Sequence, residues 1–485
     1  MSFNSITFLL FFPITILLFY LLRNPYRWYM VLVASCIFYM FFIPKYVLIL
    51  FLLIAIDYTA GLLMDKTKKR KLILLVSIIT NLGILFLFKY FNFFNENIAE
   101  LAKLIHWSYS LETLSLILPI GLSFHTFQSL SYVVEVYKKN WKPEKNIFKY
   151  ALYVMYFPQL VAGPIERPQH VLPQLFTTVK FNSDNMLSGL QRILLGLFKK
   201  VVIADRLALV VNQVYSTPHD YIGFPLVLAT VCFAFQIYFD FSGYTDIALG
   251  AAKTMNIKLM ENFQSPYLAR SISDFWRRWH ISLYSWFRDY VYIPLGGNRV
   301  SLLRQSLNIF IVFLLSGLWH GASWTYIVWG CIHGGYIIIA TLWSKTKMSR
   351  LESPISSVFL VPLQIVLTFI LVSIAWVFFR ANSISDALYI LSHSMKGYGS
   401  IIKSIFHFDW YPVILYATKQ GAGLGLPNEE ILLAFGAIFI IGISGFLKRK
   451  IGTAGYVQWV VYLLLGLMVL NFGVGDRTPF IYFQF

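Results

Sequence analysis

Long apolar runs alternate with short clusters of lysine and arginine along almost the whole chain. A helix needs about 20 apolar residues to cross a bilayer core, and runs of that order fall at about 6–22, 28–43, 46–64, 72–95 and 114–137. Arg23 and Arg27 follow the first. Lys66, Lys68, Lys69, Arg70 and Lys71 follow the third, and Lys138, Lys139, Lys142 and Lys145 the fifth. Basic residues collect in cytoplasmic loops, so these clusters are expected in the cytoplasm and the N-terminus outside. Later runs fall at about 302–319, 323–343, 356–380, 429–447 and 455–471. Lys345, Lys347 and Arg350, and then Lys448, Arg449 and Lys450, are expected on the cytoplasmic side, which puts the C-terminus outside as well.

The middle is less regular. Residues 147–164 are apolar but interrupted by Pro158 and by Gly163-Pro164. Proline removes a helical donor and clashes with the preceding turn, so a re-entrant or broken helix is expected there. Such backbone is tolerated at membrane depth only where protein or a wet cavity satisfies it. Residues 186–206 carry apolar groups at helical spacing with Arg192, Lys199 and Lys200 among them. That fits an amphipathic helix on the cytoplasmic interface, and equally a bundle helix whose lysines reach for water. The run at 222–250 holds Gln236, Asp240, Ser242, Thr245 and Asp246, and Asp240–Tyr244 is a candidate helix break. With Asp205 and Arg206 interrupting 201–216, topological parity is not assigned between about 147 and 250.

Composition settles the class. The 485 residues are 58% hydrophobic and 13% charged, against roughly 45–50% and 25% in soluble domains. The expectation is an all-α, polytopic transmembrane bundle of about 10–12 spans plus re-entrant or broken helices. It forms a single membrane-embedded domain over 1–485, with its motif-bearing core at 114–345 and an aromatic tail at 476–485. The net charge of +18 is spread in clusters between apolar runs, and no basic domain stands apart to bind nucleic acid. Cys36, Cys232 and Cys331 lie in apolar segments without paired or metal-ligand spacing. The run at 6–22 lacks a basic leader and a small-residue cleavage site, and reads as a retained span.

Polar chemistry concentrates between Ser265 and Trp324, where Arg270, Asp274, Arg277, Arg278, His280, Arg288, Asp289 and His320 sit among apolar runs. Charge at a bilayer centre costs roughly 2.5–3.5 kcal/mol per residue on insertion scales, so such groups usually face a cavity and act there. Two histidines forty positions apart each follow a tryptophan, in Trp279-His280 and Trp319-His320. Imidazole can take a proton from a hydroxyl near neutral pH, so His320 and His280 are the candidate catalytic residues. Trp319 and Asp246 are assigned to the cavity wall. Arg277, Arg278 and Arg288 are candidates for binding phosphates, since guanidinium forks match phosphate oxygens, and Arg277, Arg278 and Trp279 are assigned to an acyl donor that carries them. Arginines facing anionic lipid and a histidine bonded inside a bundle give the same pattern. His125 and His333 read as packing or hydrogen-bonding histidines. No spacing among the nine histidines suggests a metal. A transporter would also bury histidines and arginines, but no internal repeat is visible.

Six blocks carry a resemblance: ILPIGLSFHTFQSLSYVVEVY, YFPQLVAGPIERP, FDFSGYTDIALG, ENFQSPY, SDFWRRWHISLYSWFRDYVYIPLGGN and GLWHGASW. Together, in order over roughly residues 1–475, they resemble the membrane-bound O-acyltransferase family. The nearest branch is the bacterial one of alginate O-acetyltransferases and teichoic acid D-alanyltransferases. The resemblance implies tilted and broken helices around a central tunnel that joins a cytoplasmic donor to an outward-facing acceptor. It places His320 at the family's catalytic histidine and His280 at its second signature polar position. It implies acetyl-CoA as donor with no bound cofactor, and a bacterial inner-membrane location. It further implies a polysaccharide acceptor and an esterase-like periplasmic partner, with D-alanyl transfer from a carrier protein as the alternative. The final FIYFQF also resembles the ending of the small accessory protein of D-alanylation systems. That makes Tyr482 a candidate acyl relay, although an aromatic belt at the interface has the same composition.

Overall fold

The computed structural model describes residues 1–345, 357–398, 431–439, 455–473 and 480–481, and the regular structure among them is helical. Tyr482 lies outside the described residues. Among the described residues, six helical stretches are long and apolar enough to cross a membrane: Pro44–Lys66, Arg70–Leu104, Phe224–Thr254, Leu302–His320, Trp324–Ser344 and Leu360–Arg380. Ile6–Leu21 and Trp459–Phe472 are shorter apolar helices. The chain is a multi-pass membrane protein.

The first part comprises α1 (Ile6–Leu21), α2 (Asn24–Met40), α3 (Val47–Lys66) and α4 (Arg70–Leu85), with α4 passing through a π turn at Phe86–Tyr90 into α5 (Phe91–Leu104). Buried Asp57 ties α3 to its neighbours. It accepts hydrogen bonds from Ser77 Oγ at 2.6 Å and Asn81 Nδ2 at 2.8 Å on α4, and from the Ser129 hydroxyl on α6 (Leu122–Tyr137).

The run at 114–137 departs from expectation. Only 122–137 is helical, and all but two of those residues are buried. The stretch before it is non-helical and is held by side-chain amides. Asn92 bonds both the N–H and the carbonyl of Leu114, and Asn95 bonds the Leu111 carbonyl. Pro119 and the left-handed Gly121 (φ 76°) then fix where the helix starts. Apolar composition here reports burial in protein, which hydropathy cannot tell from burial in lipid.

The break expected in 147–164 is present. Helix α7 (Ile147–Met155) gives way to a buried, turn-rich stretch through Gly163, where a Cβ would stand 2.3 Å from Gln159 Cα. Beyond α8 (Pro168–Leu175) come α9 (Ser183–Leu197), a π turn at Phe198–Ala204, α10 (Asp205–Ser216) and α11 (Phe224–Thr254). Helix α11 is unbroken through Asp240–Tyr244, contrary to the sequence expectation. Its polar residues are paired instead. Lys200 meets Asp240 and Asp205, and Asp246 takes Arg192 Nε at 2.9 Å and Lys199 Nζ at 2.6 Å. Helix α9 is therefore a bundle helix packed on α11, as in the second of the two readings of 186–206, but Lys199 and Lys200 reach carboxylates rather than water. Four glycines allow the approach: a Cβ on Gly189 or Gly196 would lie 2.8 or 2.6 Å from the carbonyl oxygen of Gly250 or Gly243.

The last part runs through α12 (Ile272–Arg278), α13 (Ile281–Phe287), α14 (Leu302–His320), α15 (Trp324–Ser344), α16 (Ser357–Arg380) and α17 (Ile384–His393). Serine caps start several of these helices: Ser271, Ser301 and Ser323 accept from Asp274, Arg304 and Thr325 N–H. Among the described residues, two large apolar clusters fill the interior, beside a small one of Leu53, Leu85 and Leu122. One large cluster contains α1–α3, α6 and α7, the other the α12, α15 and α16 aromatics, and α11 contributes to both. Trp319 belongs to the first, Trp279 and Trp329 to the second. The two candidate histidines lie at their seam.

Candidate active site

Helix α14 ends on Trp319 and His320, and its last carbonyls are held from another helix. Lys89 Nζ donates to Trp319 O at 2.7 Å and His320 O at 3.0 Å, and Tyr90 donates to Leu318 O at 2.8 Å. Terminal carbonyls of a helix have no intrahelical partner, and a cation there complements the macrodipole. These bonds fix the backbone that carries His320. Gly321 is required next, because Tyr326 packs against it so closely that a Cβ would fall 2.2 Å from the ring.

His320 is buried in an aromatic box, with Trp319, Trp329 and Phe379 ring centroids at 4.9, 5.1 and 5.1 Å. His280 caps the start of α13 in the left-handed region, at φ 44° and ψ 54°. A non-glycine residue there stores strain, which tends to occur at functional positions. Its imidazole meets Phe241 edge-on at 4.7 Å and Trp319 at 6.0 Å. Trp319 therefore touches both imidazoles, and the two histidines share one site. His333 adjoins it and accepts a hydrogen bond from Trp276 Nε1 through Nδ1, at 3.3 Å. His125 is buried beside Tyr39, with ring centroids 5.8 Å apart.

A cavity of about 300 Å³ lies among α12, α13, α14 and α15, and neither His280 nor His320 lines it. Arg277 and Arg288 line it together with Leu283, Phe287, Ile309, Val312, Phe313 and Ser316. Ser316 stands one helical turn before His320 on α14. The predicted donor residues separate here. Arg277 is exposed and lines the cavity. Arg278 bonds Asp274 at 2.9 Å. Partial burial pushes the Asp274 carboxyl up, but hydrogen bonds from Arg278 and the Arg270 N–H outweigh it and hold the carboxyl below its ordinary range. Trp279 is buried in the aromatic core, stacked on Phe275 at 5.5 Å. Asp246 has Arg192 and Lys199 as partners rather than either histidine, and Arg192 also grips Glu261.

Sequence reasoning missed Lys89. The signal was one lysine inside the apolar run 72–95, which bilayer energetics mark as a residue with a partner. It also missed Trp329 and Phe379, for which apolar runs of this kind give no signal.

Residues 143–380 match the model of the MBOAT, or membrane-bound O-acyltransferase, family. A probable alginate O-acetylase of Pseudomonas putida is 34% identical, with all of both chains covered. The peptidoglycan O-acetyltransferase of Helicobacter pylori is 37% identical over 95% of this chain and 92% of its own length. The teichoic acid D-alanyltransferase of Bacillus subtilis is 30% identical over 44% of this chain and 56% of its own. Given full-length similarity at this level, the chain belongs to the membrane-bound O-acyltransferase family and is an acyltransferase.

Proposed function

We propose that this enzyme transfers acetyl from acetyl-CoA, taken up on the cytoplasmic side, towards hydroxyls of an envelope or secreted polysaccharide outside the cell. The observation that carries the reading is the pairing of His320, held on a helix end by Lys89, with a cavity that leads from two arginines to one turn away. A thioester is already activated. The protein must place it beside a hydroxyl, remove the proton and exclude water.

In this reading His320 takes the acceptor hydroxyl's proton as the oxygen attacks the thioester carbonyl. The carbon–sulfur bond breaks, and the proton passes to the departing CoA thiolate. Arg277 and Arg288 bind CoA phosphates while the apolar cavity wall accepts the acyl-bearing arm. His280 positions the thioester, and its fixed backbone suits that role. Tyr482 is the proposed relay to the outer face, since an aryl ester passes its acyl group readily to an activated hydroxyl. Ile481, immediately before it, is buried and donates its N–H to Asp240 Oδ2 at 2.8 Å, which supports a tail anchored inside the bundle. An esterase-like periplasmic partner is proposed to complete the transfer, with both termini outside a bacterial inner membrane.

Acetyl is favoured over D-alanyl because the named O-acetylases match 93–100% of this chain, whereas the D-alanyltransferases match 44–48%. Purified protein given labelled acetyl-CoA or a D-alanyl-charged carrier protein distinguishes the two. Label should leave acetyl-CoA only, and consumption of the charged carrier alone would overturn the reading.

A further inference from the structure

Two further cavities lie away from the histidines, along α2. The first, of about 260 Å³, is bordered by Arg27, Trp28, Lys149, Phe176 and the 177–179 backbone. Arg27 is held in place by three carbonyls: Nε donates to Leu22 O at 2.9 Å, Nη1 to Val179 O at 2.6 Å and Nη2 to Tyr20 O at 3.3 Å. A guanidinium has five N–H donors, so two remain for a ligand. The Lys149 ammonium lies 4.7 Å from the Phe176 ring and 6.0 Å from Trp28. Among the described residues, neither cation has a carboxylate partner.

The second cavity is an apolar groove of about 730 Å³ between α2, α3 and α7. Its α2 wall runs from Tyr29 to Met40, eleven residues on, or about 16 Å at 1.5 Å per residue. That is close to one leaflet of a hydrocarbon core about 30 Å thick. Val33, Ile37, Phe51 and Phe148 are exposed in it. Its α3 wall belongs to a membrane-crossing helix, so the groove lies at lipid depth. Both cavities use α2 and α7: on α2 the basic one comes first, at the helix start, and on α7 the two share the same first turns, Lys149 and Leu152 facing one and Ile147, Phe148 and Ala151 the other. Stacked Trp28 and Tyr29 stand between them, where an interfacial aromatic pair belongs.

We infer that α2, α3 and α7 form a binding site for one anionic phospholipid. Its phosphate sits between Arg27 and Lys149, and one acyl chain lies along α2 from Tyr29 to Met40. A phosphate suits the two remaining guanidinium donors, and a basic site selects anionic over zwitterionic headgroups. The site does not depend on the acyl-transfer chemistry proposed above.

Native mass spectrometry of the purified full-length protein tests it, with phosphatidylglycerol, phosphatidylcholine and inorganic phosphate as probes. One phosphatidylglycerol should stay bound under conditions that strip phosphatidylcholine. Lys149→Gln should cut its retention about fivefold, the usual worth of one basic residue near an anionic headgroup. Ile37→Trp, which fills the groove and leaves the cations in place, should cut it comparably. Inorganic phosphate should leave thermal stability unchanged where phosphatidylglycerol raises it. Equal retention of both lipids, or retention untouched by either substitution, overturns the assignment. So does an equal stabilisation by inorganic phosphate, which would mark a free-anion site.

Discussion

At the scale of single residues, the account turns on which polar groups face space and which face each other. Arg277 and Arg278 are neighbours in sequence, but one lines the cavity and the other is held by Asp274. Arg277→Ala should therefore raise the Michaelis constant for acetyl-CoA several-fold with turnover largely kept, the pattern of lost donor binding. Arg278→Ala should leave that constant near wild type and act through stability. Steady-state kinetics of both variants decide the point, and equal effects on the Michaelis constant would count against the cavity as the donor route. Lys89 makes a different demand. It lines none of the cavities described above and bonds the carbonyls of Trp319 and His320. Lys89→Met should lower turnover by at least about tenfold with donor affinity intact, since a 1 Å misplacement of a catalytic group can cost about 100-fold. Lys89→Arg, which keeps a donor in reach, should recover part of it. A fall in thermal stability with full turnover would reduce Lys89 to a structural tie.

At the scale of elements, the glycines of α9 and α11 carry the closest helix packing. Gly196→Ala would drive a methyl to 2.6 Å from a backbone oxygen, and overpacking of that kind costs about 1–3 kcal/mol. Gly83→Ala, in α4 with nothing within 4 Å of the added carbon, should be neutral or mildly stabilising, because alanine favours a helix over glycine by up to about 1 kcal/mol. Thermal unfolding in detergent compares the two, and equal shifts would contradict the packing. These elements also show how far the sequence could be read. Helices α14, α15 and α16 were legible from hydropathy, and the break after α7 from Pro158 and Gly163. The fate of 114–121 was not, because its backbone is held from distant positions: Asn92 bonds the N–H and carbonyl of Leu114, and Tyr46 donates to Ile117 O. The segment Asp240–Tyr244 suggested a break in α11, because a sequence does not show that Asp240 and, beyond it, Asp246 take their countercharges from Lys200, Lys199 and Arg192 on a neighbouring stretch. The pairing of His280 with His320 was suggested by two Trp-His dipeptides and by the family blocks. The Trp319 ring that touches both required three dimensions.

At the scale of the whole molecule, residues far apart in the chain meet the same helix. Phe3 and Phe480 both pack on Tyr244 of α11, at 4.6 and 4.7 Å between centroids. The last described residues, Phe480 and Ile481, are buried. A tail anchored this way suits a relay, and Tyr482→Phe separates that role from membrane anchoring, since only the hydroxyl is lost. Acetylation of the polymer should stop in Tyr482→Phe while acetyl-CoA binding persists, and mass spectrometry should find acetyl on Tyr482 of the wild-type C-terminal peptide. Full polymer acetylation by Tyr482→Phe, with no acetyl on that peptide, would leave the tail as an anchor only.

The central claim is that His320 performs the chemistry, and it is tested most directly by the transfer rate of His320→Ala. Wild-type and variant protein, each purified as a monodisperse species, are given labelled acetyl-CoA and the acceptor system, and acetyl transfer is counted. A general base contributes about 10²–10⁴-fold, so the variant should fall by at least about 100-fold while its thermal stability stays close to wild type. Retention of more than about a tenth of the wild-type rate by a folded His320→Ala protein would contradict the account.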